Sequence, residues 1–171
     1  MISMNSKLSG IFALILLTLT VTACGFQLRG QATLPFDTLF ISAPAGHPIG
    51  TDLKRLIKSG TRTRVVGEAK TAQATLEIIS VSNNKEIMSV SGGGRVREFE
   101  LRYLVSFRLI DSKGVELIPT NEIALRRIIP FTDAQVVAKE GEEAMLVREM
   151  QGDSAAQIVR RIEAVKTAAA Q

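Results

Sequence analysis

Between Phe99 and Leu109, apolar side chains hold every odd position: Phe99, Leu101, Tyr103, Val105, Phe107 and Leu109. The intervening positions include Glu98, Glu100, Arg102, Ser106 and Arg108. A period of two over this length is the signature of a strand with one face on a core and the other in a polar setting. It demands strand neighbours and an apolar layer to cover its inner face.

The flanking sequence supplies the neighbours. Ala74 to Val81 is apolar and β-branched and predicts a strand that runs on past Asn83-Asn84 through Ile87 and Val90. Gly92-Gly93-Gly94 interrupts the pattern, and Asp111-Ser112-Lys113-Gly114 reads as a turn. Val115 to Ile129 is the next strand, with Ile123, Leu125 and Ile129 on one side. Three adjoining strands joined by short turns argue for an antiparallel meander. Upstream, Thr38-Leu39-Phe40-Ile41-Ser42 is a short β-type run stopped by Pro44 and Gly46.

Two segments carry helical spacing. Leu53, Leu56 and Ile57 predict a helix over 49–59, with Lys54, Arg55 and Lys58 on its other side and Gly60 as a stop. Arg64-Val65-Val66 reads as a short strand leading away from it. Pro130 ends the last strand, and Thr132 or Asp133 can cap a second helix reaching about Val165. Its stripe is Leu146, Met150, Ile158, Ile162 and Val165, read as core packing against the sheet. Gly141 and Gly152 weaken it by about 1 kcal/mol each relative to Ala, which allows a kink or break. The expected fold is therefore α+β. It is a two-layer sandwich, with two helices packed on one face of a mostly antiparallel four-stranded sheet. The domain would cover 36–167, with 168–171 as a frayed tail.

The start of the chain reads differently. Ile11 to Val21 is an uninterrupted run of apolar residues and threonine. Eleven residues at about 1.5 Å each span roughly 16 Å, far short of a ~30 Å hydrocarbon core. Lys7 precedes the run, and Thr22 and Ala23 follow it, the order of a secretory signal. A buried helix of a cytosolic domain is the competing reading. Val21-Thr22-Ala23-Cys24 resembles a bacterial lipobox, in which the cysteine takes a diacylglyceryl group and the peptide is cut before it. Residues 1–23 are then the signal peptide and 24–35 a lipidated tether. Acyl chains contribute about 0.8 kcal/mol per buried methylene, and more than one makes anchoring stable. Gly25, rather than an aspartate, favours sorting to the outer membrane.

Catalytic chemistry is hard to assemble from these residues. The 171-residue chain has one cysteine and one histidine, which excludes a disulfide scaffold and four-ligand cysteine or histidine zinc sites. His47 sits in the turn-rich Pro44-Ala45-Gly46-His47-Pro48, and no Ser-His-Asp arrangement is possible without it. The three glycines at 92–94 lack the Lys-Ser/Thr ending of a phosphate loop. No catalytic residue, metal site or cofactor is expected beyond the covalent lipid on Cys24, and the chain does not read as an enzyme. Nucleic acid is a poor partner: the anchor places the chain outside the cytoplasm, and seven Phe, one Tyr and no Trp make a meagre stacking platform. What remains is cations. Lys85, Arg95, Arg97 and Arg102 flank the glycine turn, with Arg126, Arg127 and Lys139 beyond. On pattern alone they fit a solvated sheet face with Glu98 and Glu100 as counter-charges. Arginine forks also suit phosphate oxygens.

The ordered set of segments resembles the LPS-assembly lipoprotein family LptE. Its pieces are Cys24-Gly25-Phe26-Gln27-Leu28-Arg29-Gly30, then Leu34-Pro35 and the strand to Ile41, then Arg97-Glu98-Phe99-Glu100-Leu101. Ala138-Lys139 follows, with Glu142-Glu143, Leu146 and Glu149-Met150, and last Ile158-Val159-Arg160-Arg161-Ile162. The resemblance implies a two-layer α+β domain that plugs the outer-membrane β-barrel LptD and assists its assembly. It also implies binding of lipopolysaccharide on its way to the cell surface. Basic residues near the hairpin tip and near the start of the C-terminal helix would serve that binding. Lys139 matches the second position. Arg95 and Arg97, just after the glycine turn, stand in for the first. The alternative is an accessory or cell-wall-binding lipoprotein of another envelope complex.

Overall fold

The computed structural model describes residues 33–131 and 136–169, with side chains over 33–131 and 141–165. Five strands and two helices form in the order β1 (Thr38–Ser42), α1 (Ile49–Gly60), β2 (Arg64–Val66), β3 (Ala74–Val90), β4 (Val96–Asp111), β5 (Glu116–Pro130) and α2 (Val136–Ala169). A short 3-10 turn at Ala69–Thr71 leads into β3.

The alternating run behaves as its period requires. Leu101, Tyr103, Val105, Phe107 and Leu109 of β4 are all buried, while their even-numbered neighbours are partly exposed. β4 is flanked by β3 and β5, both antiparallel. The turns between them use glycine where the backbone must go left-handed: Gly94 has φ +77° and Gly114 φ +84°. The second turn is closed by the Asp111 carboxylate, which accepts the Lys113 and Val115 N–H groups at 2.8 Å each.

The sheet is five-stranded and mixed, in the order β2-β1-β3-β4-β5, which corrects the expected four-stranded one. β1 lies between β2 and β3 and runs parallel to both, with Leu39 opposite Val65 and Ala74. The α1 crossover makes the β1–β2 pairing parallel, as it must when a helix separates neighbouring strands. Three residues of β2 are too few to show a period, so the sequence cannot reveal that this run joins the sheet.

Two bulges keep apolar residues facing inward where a strict alternation would fail. In β3 the register slips between Ile78 and Ser80, so Leu76 and Ile78 before it, and Val81 after it, all pack on the core. In β5 an extra residue near Pro119 lets Ile118 and Ile123 both be buried. A proline is tolerated at such a point because it owes the ladder no N–H.

The helices cover one face. α1 buries Ile49, Leu53 and Ile57, spaced by four residues. α2 buries Met150, Ala155, Ile158 and Ile162, all fully enclosed. Each such Ile or Leu contributes about 1.5–3 kcal/mol on leaving water. α2 passes through Gly141 and Gly152 without a break, because its apolar stripe is held by the sheet and by α1. Gln151 donates from its side-chain amide to Asp52, which joins the two helices. Gly60 is still helical; α1 stops at Thr61, which turns extended while its N–H and hydroxyl both donate to the Ile57 carbonyl. The core reaches back to Leu34 and Phe36, both buried.

Candidate functional site

β3 and β4 are longer than the core they serve. From Asn83 to Val90, β3 is mostly exposed, yet its ladder with β4 continues to the turn at Ser91–Arg95. The result is a hairpin arm. Its apolar side chains stand in solvent: Ile87 is 59% exposed, Met88 51% and Val90 56%. At the base of this surface, Phe99 and Phe131 pack edge to face with ring centres 5.2 Å apart.

The cations divide into two groups. Arg102 and Arg108 lie on the sheet face away from the helices and are held by carboxylates. Arg102 is bound by Glu100 and reaches Glu86 at 3.2 Å, and Arg108 meets Glu77 at 2.7 Å. The bond from Glu100 and its charge hold the Arg102 guanidinium above its ordinary pKa. Lys85 sits on the other face, 4.4 Å from the Phe99 ring centre and paired with Glu143 of α2. Arg127 reaches Asp153 at 3.3 Å. Of the two expected counter-charges, Glu100 holds Arg102, whereas Glu98 accepts the Ser89 hydroxyl at 2.7 Å; the other cations use Glu77, Glu143 and Asp153.

Arg95 and Arg97 differ. Both are exposed and neither forms an ion pair among the described residues. Arg95 closes the turn through its backbone, donating to the Ser91 hydroxyl at 3.2 Å, while its carbonyl accepts the Ser91 N–H at 2.7 Å. Arg97 lies where the β3–β4 register slips, and its carbonyl accepts the Phe131 N–H at 2.7 Å. These bonds fix their backbones. Lys139 falls in the first turns of α2, four residues before Glu143, and its side chain lies outside the described residues. The Lys85–Glu143 pair ties that part of α2 to the arm. Cys24 also lies outside the described residues.

Sequence reasoning missed the arm's apolar members. Ile87 and Val90 are ordinary strand residues by composition, and only the structure shows that they stay exposed. His47 is structural: its Nδ1 accepts the Ile49 N–H at 3.2 Å at the start of α1. Among the described residues no three potential ligands gather at a metal-sized site, and no helix is long and apolar enough to cross a membrane.

The fold is that of a small α+β domain whose solved counterparts are bacterial lipoproteins. A lipoprotein B from Nitrosomonas europaea, solved by NMR, is 48% identical, with a TM-score of 0.74 over 84% of this chain and 94% of that one. The rare lipoprotein B of Shewanella oneidensis shares the fold at 22% identity, with a TM-score of 0.69 over 78% of this chain and 99% of that one. The family model for lipopolysaccharide assembly, LptE, matches residues 36–162. The LPS-assembly lipoprotein LptE of Yersinia pestis is 30% identical over 158 residues, covering 90% of this chain and 74% of that protein. The chain belongs to the LptE family, a family of envelope lipoproteins of LPS assembly and not of enzymes.

Proposed function

We propose that this chain is anchored in the outer membrane by lipid on Cys24, plugs and assists assembly of the LptD β-barrel, and binds lipopolysaccharide in transit. Residues 1–23 would be the signal peptide and 24–35 the tether to the domain. The hairpin arm carries the reading. It places Arg95 and Arg97, which form no ion pair among the described residues, beside exposed Ile87, Met88 and Val90. An amphiphile with phosphates on its headgroup and acyl chains below has the matching chemistry. Arginine grips phosphate oxygens with a two-pronged fork, and the apolar side chains lose water against the acyl region. Lys139, near the start of α2, completes the cationic set. No cofactor takes part.

Two measurements test this. Mild-detergent recovery of the tagged, lipidated protein from outer membranes should bring one large β-barrel in roughly equal amount. Recovery of cell wall with no barrel would overturn the plug assignment. The triple variant Arg95→Glu, Arg97→Glu, Lys139→Glu should weaken LPS binding with an unchanged circular dichroism spectrum. Undiminished binding would remove those three residues from the site.

A further inference from the structure

A second cationic site lies away from the arm. Between the C-terminal turn of α1 and edge strand β2 is a cleft of about 550 Å³. Lys54, Lys58, Arg62 and Arg64 line it, together with Thr61 and Thr63, and no carboxylate does among the described residues. None of the four cations forms an ion pair among the described residues. An anion entering here displaces no resident carboxylate, whereas at Arg102 it would have to displace Glu100.

Stabilising the end of α1 does not require these charges. The Ile57 carbonyl already accepts both the N–H and the hydroxyl of Thr61, and a single cation is enough to complement a helix C-terminus. Four like charges around one concave space repel each other until a counter-ion is bound.

The position of the cleft identifies the counter-ion. Thr63 Oγ1 donates to the Phe36 carbonyl at 2.8 Å, and the Arg64 N–H donates to the Asp37 carbonyl at 2.8 Å. The cleft is therefore bonded to the segment through which the chain enters the domain. Leu34 follows Cys24 by ten residues, a span that reaches at most roughly 35 Å when fully extended. A lipid on Cys24 would hold the cleft within reach of a membrane surface, where basic segments are attracted to anionic lipid.

We propose that the α1–β2 cleft binds the phosphate of an anionic phospholipid headgroup in the leaflet that holds the Cys24 lipid. This rests on the reading of Cys24 as the anchor. The site is separate from the arm, so it orients the domain on its membrane while the arm remains open to LPS.

The test uses full-length lipidated protein, isotope-labelled, in nonionic micelles. Short-chain phosphatidylglycerol should shift the backbone amides of residues 61–67 saturably, and phosphatidylcholine of equal chain length should not. Inorganic phosphate should bind at least about tenfold more weakly. Lys58→Glu with Arg62→Glu, both exposed positions, should weaken phosphatidylglycerol binding about tenfold or more with amide dispersion preserved. Equal response to phosphatidylcholine, equal affinity for inorganic phosphate, or shifts confined to residues 91–97 would each overturn the proposal. Mass spectrometry of the same sample reads Cys24 acylation separately. An unmodified Cys24 rejects the anchor, whatever the titration shows of the cleft.

Discussion

Tyr103 is only 1% exposed, and its hydroxyl has no hydrogen-bond partner among the described residues. Burial pushes its pKa up to about 12, with the nearby Asp52 charge adding to the effect. An unsatisfied buried hydroxyl costs about 1–3 kcal/mol. Tyr103→Phe should therefore raise stability by about 1 kcal/mol, read as a higher urea midpoint at unchanged slope. The sign of the pH effect follows from the same burial. The folded chain holds this proton more tightly than the unfolded chain, whose tyrosine ionises near pH 10. Its contribution is whole below pH 10 and is lost as pH rises towards 12, by about 2 kcal/mol. The Phe variant should lack that segment of the alkaline stability profile. Tyrosinate absorbance checks the cause directly, because the chain has a single tyrosine. Ionisation in the folded protein near pH 10 would refute the burial argument.

At the scale of elements, helix α2 contains two glycines where its own propensity is weakest. A Cβ at Gly152 would meet nothing within 4 Å, so Gly152→Ala should stabilise the fold by about 0.5–1 kcal/mol. Gly50 in α1 is the contrasting case. A Cβ there would stand 3.0 Å from Cβ of Ala43, and Gly50→Ala should destabilise by about 1–3 kcal/mol. Thermal denaturation of both variants decides between propensity and packing. The same distinction explains what the sequence made legible. The period-two run of β4, the helical spacing of Leu53, Leu56 and Ile57, and the turn at Asp111–Gly114 are local patterns, and the structure carries each of them. β2 was underread because pairing across α1 is a long-range fact that leaves no mark in three residues. The bulges at Ile79 and Pro119 were hidden for a related reason: a slip of one residue is visible only against the partner strand. The candidate cations were legible as residue types. Their division into paired Arg102 and unpaired Arg97 needed the register of β3 against β4.

Over the whole molecule, the side chains that hold the fold are buried, and those of the arm are exposed. The two-helix layer covers the sheet from β1 to β5, and there the side chains are closed off: Ile162 of α2 is fully buried. Ile162→Ala leaves a cavity under that layer and should cost about 2–5 kcal/mol. The arm lies beyond the layer, so its apolar side chains bury little on folding. Ile87→Ser with Val90→Ser should change stability by less than about 1 kcal/mol, chiefly through lost cross-strand packing of Ile87 on Phe99. If the arm is where LptD or lipopolysaccharide binds, that near-neutral variant should lose recovery of the barrel or LPS binding, and the Ala variant, kept below its melting point, should retain both. Denaturant titration and co-purification on the two proteins separate the outcomes. Full recognition by the Ser variant would move the site off the arm, since binding would then persist without the exposed Ile87 and Val90 side chains. The exposed Ile87, Met88 and Val90 let the arm be apolar without loosening the core, because the side chains that hold the fold are buried elsewhere.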